Sequence, residues 1–236
     1  MTTLEYQGTE LSLFARALNW KAYLAKAVRP FLGETVLEVG AGLGATTRAL
    51  YDGQREWVCL EPDSGMAAQL RTAVSSAQLP PACQVVAGTT EDLIARGLEG
   101  QFASVLYIDV LEHIEDDCAE LARALRLVKP GGHVVVLSPA FQWLYSPFDA
   151  AVGHFRRYSR LQLRRAAPPE GKILRLRYLD SVGFVASLAN KLALRSGMPT
   201  QGQIRVWDRI MVPLSRLADP MVGYMFGRSV LAIWSR

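Results

Sequence analysis

Five short, largely apolar runs, at residues 35–39, 57–60, 84–87, 104–108 and 133–137, are separated by segments with helical periodicity. Runs this short and this continuously apolar suit strands covered on both faces, and intervening helices supply both covers. Strand–helix units of constant hand wind into a parallel sheet with helices above and below. Helices are predicted near 45–51, 64–77 with Ser64 as N-cap, 91–96 and 116–128, with a turn at Lys129-Pro130-Gly131-Gly132. Residues 11–28 predict one or two helices, ended by Arg29-Pro30. Beyond Ser138 the pattern is irregular to about Tyr158. A helix, a strand at 173–178, an apolar helical stretch at 181–223 and a last strand at 229–234 follow.

The chain has 236 residues, 50% hydrophobic and 20% charged, enough for one domain with an elaborated cap. Its net charge of +4 is dispersed and forms no basic block, which argues against nucleic acid as a partner. Cys59, Cys83 and Cys118 have no paired spacing and read as reduced thiols. The polar start has no signal-peptide pattern, and the apolar stretch 182–194 is interrupted by Asn190 and Lys191 and is too short to span a bilayer. A cytoplasmic monomer or homodimer is expected.

The strongest local motif is Val36-Leu37-Glu38-Val39-Gly40-Ala41-Gly42-Leu43-Gly44, a strand running into a glycine-rich turn and a helix. Glycines there allow close backbone approach to a ligand. Read as Gly40-x-Gly42-x-x-Ala45, with Glu61 at the spacing of a ribose-binding acid, the motif also satisfies a dinucleotide fingerprint. Glu38 separates the two readings. A carboxylate inside an apolar strand is costly to bury without a compensating partner, and a ligand carrying an ammonium group would compensate it where a dinucleotide would not.

With this motif the chain resembles the class I S-adenosylmethionine-dependent methyltransferases, and the resemblance extends over residues 35–138. It implies a doubly wound α/β fold with a mostly parallel seven-stranded sheet. In this reading residues 1–236 form one methyltransferase domain, 1–30 a helical lid, and 139–160 and 181–223 substrate-cap insertions. The cofactor implied is S-adenosylmethionine, with S-adenosylhomocysteine as product. Glu38 would hold the methionine amino group and the Gly40-Ala41-Gly42 backbone, leading to Gly44, would meet the cofactor. Glu61, followed by Pro62, would accept from both ribose hydroxyls, as two carboxylate oxygens suit a vicinal diol. Thr90 and Glu91 would meet the adenine, with Asp92 as the alternative, or both acids would merely open a helix. The segment from Ile108 to Asp117 resembles the family's stretch after the fourth strand, placing Asp109 and Val110 beside the sulfonium. His113 stands there as either a base or a structural residue.

The acceptor side is expected after the fifth strand, where open α/β sheets place their ligands. Trp143, Tyr145, Phe148 and Tyr158 are candidate pocket walls. His154 is the first candidate for a base, with Asp149 orienting it, and Arg156 and Arg157 could hold an acidic group. Alternatively Asp149, His154 and the two arginines form a brace that locks the loop. Phe184, Leu188, Leu192, Trp207, Ile210, Met211 and Leu214 read as an amphipathic cap over an apolar acceptor or as a packing extension. No Asn/Asp-Pro-Pro-Tyr follows the fourth strand, which favours an oxygen acceptor on a small molecule, apolar or acidic, over a nucleic-acid base. No acid–histidine spacing compels a metal, and none is expected. Two other functions stand beside methyl transfer: a nicotinamide-dependent oxidoreductase, and a cofactor-binding non-transferring protein or cyclase.

Overall fold

The computed structural model describes residues 10–168, 170–189, 191 and 199–236; Leu192 of the expected cap and residues 1–9 of the expected lid lie outside the described residues. The strands are β1 (Thr35–Val39), β2 (Glu56–Glu61), β3 (Cys83–Ala87), β4 (Phe102–Ile108), β5 (Val128–Pro139), β6 (Lys172–Leu179) and β7 (Ser229–Ser235). They form one sheet in the order β3-β2-β1-β4-β5-β7-β6. The first five are parallel, and β7 runs antiparallel between β5 and β6. The expected seven-stranded, mostly parallel sheet is what is found. The glycine turn before β5 is absorbed into that strand, where the pairing register with β4 shifts between Phe102 and Ser104.

Alternate residues of each strand enter two separate cores. Val36, Trp57, Cys59, Leu106 and Val135 face one side with Leu24 and Leu50, while Leu37, Leu60, Val105, Tyr107 and Val136 face the other with Leu93, Leu121 and Leu125. The first cover comprises α1 (Glu10–Phe14), α2 (Leu18–Val28), α3 (Ala45–Leu50) and α4 (Ser64–Ser75). The second contains α5 (Thr90–Ala95), α6 (Asp117–Leu127) and, beyond the short α7 (Pro147–Ala151), α8 (Arg160–Ala166). The N-cap of α4 is Asp63, whose carboxylate accepts from Met66 N at 2.9 Å, rather than Ser64. An aspartate one residue earlier outcompetes the serine because its charge is favoured at a helix N-terminus.

The cap comprises α9 (Ser181–Ala189), α10 (Gln201–Val206), a π-helical turn Trp207–Met211 and α11 (Val212–Met221). Three buried aspartates fasten it. Asp180 accepts from Trp207 Nε1 at 2.7 Å and Ser215 Oγ at 2.6 Å. Asp219 accepts from Tyr23 Oη at 2.6 Å and from the backbone N–H groups of Asp180 and Ser181 at 2.8 and 2.9 Å. Asp208 accepts from Trp20 N at 2.9 Å, tying the π-turn to the start of α2. The expected amphipathic cap is therefore split: Trp207 is buried, whereas Ile210 and Leu214 are exposed on its outer face.

Replacing Asp219 by alanine strands three buried donors at roughly 1–3 kcal/mol each. The expected loss is about 3 kcal/mol or more, read as a lower urea midpoint at unchanged slope.

Candidate functional site

A cavity of about 200 Å³ opens at the carboxyl ends of β1, β4 and β5, under α1, α2 and the π-turn of the cap. The turn after β1 forms its floor. Gly40 N donates to Leu60 O at 2.8 Å, which bends the chain sharply at a φ of +64°. A Cβ at Gly40 would come within 2.8 Å of the Val110 side chain, so glycine is required both by dihedral and by space. Gly42 N donates to Glu61 Oε2 at 2.8 Å, and Leu11 of α1 lies against Gly42. Ala41, Leu43 and Thr46 continue the floor.

Glu38 is buried beneath this floor, and its Oε2 accepts from Thr47 Oγ1 at 2.6 Å and Trp57 Nε1 at 2.8 Å. Two internal donors thus compensate the carboxylate, so its burial alone does not demand an ammonium ligand. Burial still pushes its pKa up to about 7, opposed by the two hydrogen bonds and by the field of Lys21. Glu61 is buried and held by the Gly42 and Asp63 backbone N–H groups. Pro62 is exposed beside it. The Thr90 hydroxyl is turned into the second core, 2.9 Å from Glu120, which also accepts from Tyr107 Oη at 2.6 Å. Glu91 is exposed in the first turn of α5, and Asp92 is occupied by a capping box with Thr89.

The opposite end of the cavity is polar. Asp109 follows β4 with a φ of +55°, an uncommon conformation for a residue with a side chain, and it lines the cavity. Its side chain is exposed to the cavity, where desolvation by the surrounding walls raises its pKa against the positive fields of His154, Lys21 and Arg228. Asp149 is fully buried; its two oxygens accept from Arg157 Nε at 2.7 Å and Nη2 at 2.8 Å, and Ser146 N and Oγ each donate at 2.8 Å. Asp149 Oδ1 also lies 2.9 Å from His154 Nδ1. Although burial acts to raise its pKa, His154 and Arg157 bring Asp149 below the ordinary carboxylate range. The brace is thus formed by Asp149, His154 and Arg157 without Arg156, and it fixes the orientation of the His154 ring. His154 Nε2 points towards Glu112, 3.9 Å from Oε1, and the His113 ring stands edge-on to His154 with centroids 4.6 Å apart. Burial and His154 push the His113 pKa down to about 4.

Several expected acceptor residues are placed elsewhere. Arg156 pairs with Asp117 at 2.9 Å and donates to Glu115 O, and Tyr158 is buried with its hydroxyl on Asp117 at 2.7 Å. Tyr145 donates to His154 O at 2.6 Å and so supports the site from behind. Trp143 is half exposed against Phe141 and Phe184. Of the proposed walls, Phe148 lines the cavity. Trp207 of the expected cap lines it, and so do Lys21, Glu112 and Arg228, to which the sequence gave no site role. Arg228 sits over the Trp207 ring at 4.6 Å. Lys21 was hidden because a lysine on an amphipathic helix ordinarily belongs to the solvated face.

Residues 37–136 match the profile of a methyltransferase domain family. Those residues carry a methyltransferase domain, and the glycine turn and the segment after β4 lie within it, which supports a class I S-adenosylmethionine-dependent methyltransferase over the nicotinamide reading of the turn. The chain is 31% identical over 151 residues to a ubiquinone biosynthesis O-methyltransferase of Xanthomonas campestris pv. campestris, covering 56% of this chain and 61% of that protein. It is 36% identical over 104 residues to the protein of the same name from Chromobacterium violaceum, covering 43% of each. The match thus spans about half the length of these curated relatives. Among solved structures, geranyl diphosphate methyltransferase in complex with S-adenosylmethionine superposes with a TM-score of 0.64 at 13% identity, covering 98% of this chain and 91% of that one. The [4+2]-cyclase SpnF superposes with a TM-score of 0.62 at 16% identity, covering 91% and 81%. At such identities the likeness is one of fold. No described helix of this chain is long and apolar enough to cross a membrane.

Because the Glu38 carboxyl keeps its proton to a higher pH in the folded than in the unfolded chain, its contribution to stability is largest below about pH 4.5 and declines as pH rises towards 7. Glu38→Gln cannot titrate. The stability of the wild type relative to this variant is expected to fall between pH 4.5 and 7 in urea unfolding, and a flat difference would contradict the assignment.

Proposed function

We propose that the protein binds S-adenosylmethionine on the Gly40–Gly44 turn and transfers its methyl group to an oxygen of a small molecule held at the polar end of the same cavity. The observation that carries this reading is the continuity of the two ends: the glycine floor and the Asp109, Glu112, His113 and His154 side chains line one space. The fit to the cofactor rests on Gly40 and Gly42, both at positive φ, whose backbone borders the cavity directly. Glu61 would turn from Gly42 N to the ribose diol, and the turn opening α5 at Thr90 and Glu91 would border the adenine. Lys21, on α2 and within the fields of Glu38 and Asp109, would meet the methionine carboxylate, while those two acids would meet its ammonium group.

When bound, the cofactor supplies a methyl carbon on a sulfonium, and as the acceptor oxygen bonds that carbon the C–S pair returns to sulfur. The chain's own contribution is placement and exclusion of water, which can supply much of the barrier reduction. Phe14, Phe148 and Trp207 form an apolar wall beside the polar end. The Asp149–His154 pair governs the acceptor's proton at Nε2, on the side facing Glu112. An oxygen acceptor accords with the printed names of the curated relatives.

Calorimetry with S-adenosylhomocysteine should show saturable binding, lost or much weakened in Lys21→Ala. Methyl-labelled cofactor with cell extract should label a small-molecule fraction. His154→Ala is expected to lower that transfer by about 100-fold or more while product binding persists. Cofactor binding without any label transfer would move the protein to the non-transferring or cyclase reading.

A further inference from the structure

Glu112 is the one buried acid of the cavity whose carboxylate has no hydrogen-bond partner among the described residues: its exposure is 0% and neither Oε1 nor Oε2 is bonded. Burial and the Asp109 field favour its protonated form, and a carboxylate buried here without a partner would be costly. Asp180, Asp208, Asp219 and Asp149 are each bonded by two or more donors.

The partners facing Glu112 offer lone pairs. His154 Nδ1 is engaged by the Asp149 carboxylate, which accepts a ring N–H there, so that in the neutral tautomer it supports Nε2 is the bare nitrogen. That nitrogen is 3.9 Å from Glu112 Oε1, too far for a hydrogen bond. Two ligands at about 2.1 Å on a tetrahedral ion lie about 3.4 Å apart, so a small side-chain adjustment brings this pair onto one ion. His113 completes the set. It makes a hydrogen bond to the Gly153 backbone, and its ligand atom, Glu112's and His154's all lie within 4.8 Å of one another. Histidines whose second nitrogen is fixed by a carboxylate or a backbone group are the ordinary supporting arrangement of a metal ligand. Nearby Arg157 is already neutralised by its two bonds to Asp149.

We propose that Glu112, His113 and His154 form a binding site for a divalent first-row transition cation at the acceptor end of the cavity. Two imidazoles and one carboxylate favour zinc, manganese or iron(II) over magnesium or calcium, which prefer all-oxygen sets. Three protein ligands leave a position open towards the cavity, where a hydroxyl of the acceptor can bind. Coordination lowers the hydroxyl's pKa, so its O–H proton passes to solvent water and the oxygen stays on the cation as an alkoxide or phenoxide. This role rests on the methyl-transfer reading above, and it makes Nε2 of His154 a ligand rather than the proton's destination. Cation binding itself does not depend on that reading. It revises the expectation of a metal-free site, which the sequence suggested because Glu112-His113 and His154 lie some forty positions apart.

The test uses full-length protein stripped with a chelator and then titrated with Mn²⁺, followed by the electron paramagnetic resonance signal of the free ion, and with Zn²⁺ by calorimetry. One saturable site per chain is expected, weakened at least tenfold in both Glu112→Gln and His154→Ala. Added Zn²⁺ should raise the melting midpoint of the wild type and leave that of Glu112→Gln unmoved. Metal-free Glu112→Gln should melt close to wild type, because the substitution replaces one unbonded carboxyl by a neutral group of the same shape, so loss of the site cannot be ascribed to misfolding. Binding that is absent in the wild type, or equal in all three proteins, overturns the proposal. S-Adenosylhomocysteine binding by the same metal-free samples reports on the cofactor reading alone, so the two can fail separately.

Discussion

The position of β1 between β2 and β4 is the constraint around which the rest is arranged. After β1 the chain builds outward through β2 and β3, then returns across the sheet to lay β4 on the other side of β1. The connections leaving β1 and β4 therefore diverge, and a crevice must remain at their carboxyl ends. The two loops bordering it are in contact at their bases, where Val110 presses on Gly40. Close contact fixes the floor of the cavity relative to Asp109 and, one helical turn further, to Glu112 and His113.

Around that crevice, buried acids divide into two kinds. Those that fasten the cap and the acceptor loop are saturated with donors, and their energetic function is to hold elements distant in sequence together. Asp219 joins α2 to the start of α9, and Asp149 joins α7 to Arg157 and His154. Glu112 is of the other kind: its carboxylate is surrounded by protein yet has no hydrogen-bond partner among the described residues. Saturated acids contribute rigidity, whereas an unsaturated acid facing two histidines keeps binding capacity in reserve. The rigidity of the first group keeps the second from collapsing: Asp149 prevents His154 from rotating to bond Glu112 directly.

Much of the fold could be read from the residues, because strands buried on both faces leave an unmistakable apolar signature and the glycines at 40, 42 and 44 mark where the first one turns. Glu61 and Asp109 stand at the strand ends where the family resemblance expects them, and Asp149 and His154, singled out by their chemistry in an aromatic loop, lie side by side at the cavity. Tyr158, Trp143 and Arg156 looked like pocket residues for the same reason, but their side chains satisfy Asp117 or pack against Phe184 and face away from the cavity. Residue type and loop membership do not specify direction. Thr90 illustrates this from the other side: a hydroxyl placed next to the crevice turns inward because Glu120 on α6 needs a donor.

By itself, the order of residues determined the parallel sheet, the glycine turn and the carboxylates at the strand ends, since each follows from interactions within a few positions of one another. Only the tertiary structure decided that the Glu112 carboxylate has no donor among the described residues, that His113 and His154 converge on it, and that Lys21 and Arg228 border the same space. Those relations join residues up to about two hundred positions apart, and whether a buried charge is compensated depends on every group within hydrogen-bonding reach, which no local pattern encodes.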